Sequence, residues 1–199
     1  MAKKESTFTN MVLTLIIVAA AASFTLATVY NLTKGPIEEA REAARQEAIS
    51  TVLPDFDKLE TRYFMPETGS DSLEFNIAYK NDELVGVAVG TYTGMGYSGR
   101  IRAMVGFMPS AEIIDVVPLD HAETPGLGDK IEKEKSDWSN QFRGLDPREK
   151  TLQVQDDGGD VDAITAATIT ARAYCDAIDR AFNTFMANKD SIINNEVEE

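Results

Sequence analysis

Asp162-Ala-Ile-Thr-Ala-Ala-Thr168-Ile-Thr170-Ala-Arg-Ala-Tyr-Cys-Asp-Ala-Ile-Asp-Arg-Ala-Phe-Asn-Thr-Phe-Met-Ala187 decides the fold class. Ala173, Ala177, Ala181 and Phe185 recur every fourth residue, with Tyr174, Ile178 and Phe182 beside them. That spacing puts them on one apolar face of an α-helix, and such a face needs a partner layer to cover it. Upstream of the helix, Asp162, Thr165, Thr168 and Thr170 supply a carboxylate and three hydroxyls. Asp and Thr are residue types that cap helix N-termini. A helix start also presents unpaired N–H groups and a positive dipole end, which suit an anion. Residue types alone favour a plain cap. The sharper alternative is that a hydroxyl here carries, or sits against, a phosphate.

The partner layer lies in the preceding stretch. Leu73 to Tyr79 alternates, Asn81-Asp82 turns, and Leu84 to Tyr92 alternates again, which predicts a β-hairpin. Arg100 to Met108 and Ile113 to Leu119 read as two more strands around Pro109-Ser110-Ala111. Four consecutive strands with short connections imply an antiparallel sheet, so the class is α+β with helices flanking that sheet. Asp55 to Ser72 reads as polar and turn-rich. Ser136 opens a short amphipathic helix through Trp138 and Phe142, and Leu152 to Gln155 reads as a last strand.

Two loops interrupt this pattern. Gly94-Met-Gly-Tyr-Ser-Gly99 is glycine-rich, but it does not lead from a strand into a helix, so neither a Rossmann nor a P-loop reading holds. By itself it reads as a strand connection. His121-Ala-Glu-Thr-Pro-Gly-Leu-Gly128 contains Pro125-Gly126, the chemistry of a type II turn. His121 reads as a surface or turn histidine, and Glu123 as a solvated turn carboxylate.

At the other end, Met11 to Tyr30 carries no charged residue. About 20 apolar residues cross the hydrocarbon core of a membrane. The competing reading is a cleaved signal peptide, but the run is longer than an ordinary signal core and continues through Phe24 and Leu26. Lys3 and Lys4 precede the run, which places residues 1–10 in the cytoplasm and the rest of the chain outside. The expected organisation is a transmembrane helix at 11–31, a helical stalk at 32–54 after a break at Gly35-Pro36, a domain at 55–189 and an acidic tail at 190–199. The stalk, with a thin apolar stripe, reads as a solvated spacer.

Composition excludes several function classes. The 199-residue chain has a formal net charge of −14, with 19 basic against 33 acidic residues. Phosphate contacts need clustered Lys and Arg, so nucleic acid is not a partner. One cysteine, Cys175, and one histidine, His121, rule out an intrachain disulfide, a cysteine-ligated cluster and a Cys/His zinc site within one chain. Redox chemistry would have to come from a bound organic cofactor or from partner subunits.

In combination, these features resemble the FMN-binding domain family, in which flavin is attached through its phosphate to a threonine. The family's attachment motif reads Asp-x-x-(Ser/Thr)-Gly-Ala-(Ser/Thr), and Asp162, Thr165, Ala167 and Thr168 match it. Ala166 stands where that motif has glycine, a change that costs something if the glycine serves close approach or a positive φ, and that is tolerated if the residue is already in a helix. Glu123-Thr-Pro-Gly-Leu-Gly128 matches the family's other signature, and Gly96-Tyr97-Ser98-Gly99 fits its glycine loop. Length and a single N-terminal span are similar to the G subunits of Rnf electron-transport complexes, which are related to the C subunits of sodium-pumping NADH:quinone reductases.

The resemblance implies FMN joined by a phosphoester to Thr168, with Thr165 and Thr170 as lesser alternatives. A separate flavin transferase would install it on the outer side of a bacterial inner membrane, reading a sequence that includes Asp162. The flavin ring would lie between the glycine loop and the Thr-Pro-Gly-Leu-Gly turn. Tyr97 and Leu127 would lie against it, with Thr124 as a polar contact and Glu123, Gly126, Gly128 and Ser98 shaping the site. The chain would relay electrons between membrane subunits of a complex that moves electrons between ferredoxin and NAD, coupled to Na⁺ or H⁺ transport. It would be a carrier stage and not a complete enzyme. The alternatives are a C-type quinone-reductase subunit, or a membrane-anchored assembly or binding module without flavin.

Overall fold

The computed structural model describes residues 7–193. Lys3 and Lys4, on which the orientation argument rests, and residues 194–199 of the acidic tail lie outside the described residues. The chain divides into two compact units, Met1–Ala43 and Ala44–Glu199.

The first unit is helical. Helix α1 spans Phe8–Val52 and continues through Pro36, so the break expected at Gly35-Pro36 does not occur. Proline lacks one N–H and clashes with the preceding turn, yet Lys34 and the Ala-, Glu- and Arg-rich residues after it are strong helix formers that carry the helix on. The apolar run inside α1 is long and apolar enough to cross a membrane, and none of it is buried in protein. Its threonines do not strand polar atoms. Thr14, Thr25 and Thr28 donate to the carbonyls of Asn10, Ala21 and Phe24 four residues back, at 2.8–2.9 Å. Such back-bonding satisfies hydroxyls where water is absent.

The second unit begins with the last turns of α1 and holds a five-stranded antiparallel sheet in sequential order. The strands are β1 Lys58–Phe64, β2 Leu73–Lys80, β3 Glu83–Gly96, β4 Gly99–Phe107 and β5 Ile113–Asp120. Strand β1 lies in the stretch expected to be polar turns. It is an edge strand pairing only with β2, and its charged residues Lys58, Glu60 and Arg62 suit an edge that must not recruit another strand. The β2–β3 hairpin turns at Asn81 (φ 52°) and Asp82 (φ 63°), as the sequence predicts. The glycine-rich segment is less of a loop than expected. Gly94 to Gly96 end β3, Gly99 opens β4 across from Gly96, and only Tyr97 and Ser98 form the tip.

Side chains alternate between two layers, as the period of a strand requires. One face, with Phe75, Ile77, Val89, Val105 and Phe107, packs on helix α2, Thr168–Ile193. Phe107 and Phe185 stack with ring centroids 5.2 Å apart, and the Thr91 hydroxyl donates to the Ala177 carbonyl at 2.8 Å. The other face, with Ala78, Ala88 and Met104, is covered by Ala48, Ile49, Val52 and Leu53 at the end of α1. The stalk is therefore no mere spacer: its last turns close the second core. Helix α2 runs on to Ile193, beyond the boundary expected at residue 189.

Short 3₁₀ turns at Gly128–Ile131, Asp137–Phe142 and Gln155–Asp157 link β5 to α2. Ser136 does open the second of these, its hydroxyl accepting from the Trp138 N–H at 3.2 Å, but the segment is 3₁₀ and not α. Leu152–Gln155 forms no sheet strand; it contributes one parallel bridge, Val154 to Val161.

A buried ion pair braces this linker. Asp115 on β5 accepts from Arg143 at 2.7 Å and from the Val116 N–H at 2.8 Å, and Lys133 lies against the same carboxylate. Burial pulls the Asp115 carboxyl upward, but the hydrogen bonds from Arg143 and Val116 and the adjacent Lys133 ammonium outweigh it and hold its pKa below the ordinary value. A lowered carboxylate pKa stabilises the fold above about pH 4, and that contribution is lost as pH falls through the folded-state value. Asp115→Asn is expected to cost about 2 kcal/mol at pH 7 and to flatten the acid limb of stability against pH. Urea unfolding at pH 7 and at pH 3 measures both.

Candidate functional site

Helix α2 starts later than the sequence suggests. Thr168 is its first residue, and Asp162 to Ala167 form an irregular lead-in. Asp162 anchors that lead-in. Its N–H donates to Gln141 Oε1 at 2.7 Å, its carbonyl accepts from Trp138 Nε1 at 2.6 Å, and its carboxylate accepts from Gln155 Nε2 at 2.8 Å. Asp162 is thus exposed and structural within the loop, and it does not line the cleft described below.

Ala166 has φ 65°, in the left-handed region. It is not helical, so of the two alternatives for this position the costly one, a positive φ, is the one observed. Glycine adopts that conformation freely, whereas an alanine Cβ costs about 1 kcal/mol. Ala166→Gly is expected to change stability by no more than about 1 kcal/mol, because the relief of strain is offset by the greater freedom of glycine in the unfolded chain. Thermal unfolding of the two proteins measures it.

A cleft of about 430 Å³ opens in front of this helix start. Three elements form its walls: the β3–β4 tip through Tyr97, the turn through Glu123, Thr124, Leu127 and Gly128, and the helix start from Ala166 to Thr170. Tyr97, Leu127 and Ile169 are 69%, 40% and 49% exposed, an apolar cluster at one concave site. Apolar walls with a few convergent polar groups are the ordinary composition of a cofactor site. Of these lining residues the sequence singles out Tyr97, Glu123, Thr124, Leu127, Gly128 and the motif from Ala166 to Thr168, but not Ile169.

The turn has the predicted chemistry. Gly126 has φ 78°, and the Thr124 carbonyl accepts from Leu127 N–H at 3.1 Å and Gly128 N–H at 3.0 Å. Gly126 and Ser98 are outside the cleft lining. The three threonines differ in setting. Thr165 is exposed and does not line the cleft; Thr170 is buried, its hydroxyl donating to Glu123 Oε2 at 2.5 Å; Thr168 is half-buried and lines the cleft. Among the described residues, the Thr168 hydroxyl has no hydrogen-bond partner. The first backbone N–H of the turn with an acceptor is Ala171, bonded to the Ala167 carbonyl at 3.1 Å. Among the described residues, the N–H groups of Thr168, Ile169 and Thr170 have no backbone acceptor, which makes an anion seat.

Glu123 departs from expectation. It is only 5% exposed, and its carboxylate also accepts from the Ser98 N–H at 2.9 Å. His121 is turned inward as well, its Nε2 lying 2.9 Å from Glu132 Oε1.

Known proteins resemble this chain over the segment that holds the cleft. The FMN-binding domain family matches residues 96–183, from the β3–β4 tip into α2. Proteins named as the G subunit of an ion-translocating oxidoreductase complex align over most of the chain. That of Shewanella piezotolerans is 35% identical over 84% of this chain and 84% of its own length. The Cronobacter sakazakii protein is 36% identical over 84% and 85%, and the Salmonella typhi protein 34% over 85% and 86%. At this identity over most of both chains, and with the FMN-binding domain match, the chain belongs to the family of G subunits of ion-translocating oxidoreductase complexes.

Proposed function

We propose that this chain is a membrane-anchored electron-transfer component of an ion-translocating complex, carrying FMN as a phosphoester on Thr168. The observation that carries the reading is the Thr168 hydroxyl, without a protein partner among the described residues, on the wall of an apolar cleft at the first turn of α2. FMN, when bound, supplies the electron-accepting and electron-donating chemistry that no side chain here provides. The residues present fit such a group. The unpaired N–H groups and dipole of the α2 start stabilise the remaining negative charge of a phosphodiester. Leu127, Ile169 and Tyr97 supply an apolar wall that excludes water from a planar ring, and Thr124 supplies a polar edge.

Attachment balances as a transfer from FAD. Thr168 Oγ forms the new O–P bond, its proton leaves, and AMP departs as the pyrophosphate bond breaks. The reaction belongs to a separate flavin transferase, and Asp162, exposed on the lead-in, belongs to the sequence it would read. A tether removes the need for tight non-covalent affinity, because the linkage itself sets the local concentration. The anchor is the apolar part of α1, in a bacterial inner membrane with the domain on the outer side. The partners are the other membrane subunits of the complex, and the transported ion is Na⁺ or H⁺.

The full chain, produced with and without a flavin transferase and run on a denaturing gel, tests the reading. A band that fluoresces under ultraviolet light only when the transferase is present is the expected result. A non-fluorescent band in both lanes sinks it, and leaves a binding module without covalent flavin.

A further inference from the structure

One buried carboxylate ties all three walls of the cleft together. Glu123 Oε1 accepts from Ser98 N–H at the β3–β4 tip, 2.9 Å away, and Oε2 accepts from the Thr170 hydroxyl in the first turn of α2, 2.5 Å away. The third wall is the turn that Glu123 itself enters. Its own N–H donates to His121 Nδ1 at 3.2 Å. Because Nδ1 accepts, the ring proton sits on Nε2 and is donated to Glu132 Oε1.

Glycine spacing shows how closely this carboxylate is fitted. A Cβ on Gly96 would lie 2.8 Å from Glu123 Oε1, and one on Gly128 would lie 2.9 Å from Glu123 Oε2 and 2.9 Å from Thr170 Oγ1. Glu123 leaves no room for a side chain at Gly128, and at Gly96 the Gly99 carbonyl oxygen closes the space as well. Gly128 therefore makes room for the carboxylate, while Gly96 is required by the hairpin backbone as well as by Glu123.

Both carboxylate oxygens act as acceptors in these contacts. No Lys, Arg or His forms an ion pair with Glu123 among the described residues. Its charge is thus hydrogen-bonded but not neutralised, in a position that lines the cleft. A fixed negative charge beside a group that gains electrons disfavours their arrival, and burial reduces solvent screening of that effect.

We propose that Glu123 is a positioning residue that joins the three walls of the cleft and, through its uncompensated charge, lowers the potential at which the bound flavin is reduced. This rests on the reading of the cleft as the flavin site. Glu123→Gln preserves length. Its carbonyl oxygen can accept from Ser98 N–H while its amide faces the Thr170 oxygen. Thr170→Val is isosteric, keeps the charge and removes one donor that disperses it.

The experiment is a potentiometric titration of the flavin absorbance in the full flavin-bearing chain, with thermal unfolding of each variant alongside. Glu123→Gln is expected to shift the midpoint potential to more positive values with the melting temperature little changed, and Thr170→Val to shift it to more negative values. An unshifted potential in a flavin-bearing Glu123→Gln protein overturns the proposal. If Glu123→Gln does not fold or load flavin, Thr170→Val decides alone: no shift, or a positive one, means that Glu123 acts as a strut only. Failure of the underlying flavin reading is separately visible, as a wild-type chain with no fluorescent band.

Discussion

Thr168→Val is expected to abolish covalent flavin completely while leaving the protein folded. Valine keeps the branched shape of threonine and removes the hydroxyl, the only atom on this side chain able to form a phosphoester. That hydroxyl has no hydrogen-bond partner among the described residues, so its loss strands no buried donor or acceptor. Valine and threonine have similar helix propensities, and the change in stability should stay within about 0.5 kcal/mol. The measurement is in-gel fluorescence together with thermal unfolding. Thr165→Val and Thr170→Val serve as comparisons: both should retain the fluorescent band, the first because Thr165 lies outside the cleft, the second because the Thr170 hydroxyl is turned inward to Glu123. A fluorescent Thr168→Val band would move the attachment elsewhere.

Gly106→Ala is expected to destabilise the domain by about 3 kcal/mol, at the upper end of overpacking effects. Gly106 lies on β4, where the end of α1 closes the second core. A Cβ there would run into the Val52 carbonyl oxygen and lie 2.9 Å from Val52 Cβ. The obstacle is backbone, so no rotamer change relieves it. Either the last turn of α1 lifts from the sheet, or β4 shifts under Ala88 and Met104. Urea unfolding of the full chain in detergent measures the loss. A change below about 0.5 kcal/mol, the size of an ordinary surface substitution, would mean that α1 does not rest on β4 in solution.

The same two regions show where sequence is informative. The apolar face of α2 and the β2–β3 hairpin are periodic over many residues, and periodicity survives folding because it is what packing requires. The turn at Pro125-Gly126 was equally legible, since few residue types permit φ 78° at its second position. Strand β1 was not, because an edge strand keeps its charges and shows little alternation. The end of α1 was hidden for another reason: Ala48, Ile49 and Val52 are too few to mark a buried face, and their burial depends on sheet residues far along the chain.

At the site, residue identity was readable and environment was not. Glu123 looks like any turn carboxylate until Ser98 and Thr170, 25 and 47 residues away in sequence, are brought to its two oxygens. Ala166 looks helical until the helix is seen to begin two residues later, which gives it the positive φ that glycine would suit. Asp162 and Thr168 share one motif but divide its work: one fixes the lead-in through Trp138, Gln141 and Gln155, and the other faces the cleft.

The most direct test of the account is to locate the flavin on the chain. Trypsin cleaves after Lys150 and Arg172, releasing a peptide from Thr151 to Arg172 that contains Thr151, Thr165, Thr168 and Thr170. Fragmentation of that peptide from the fluorescent protein by mass spectrometry should place the added FMN phosphoryl mass on Thr168. The same mass on another threonine, or an unmodified peptide from a fluorescent chain, would contradict it.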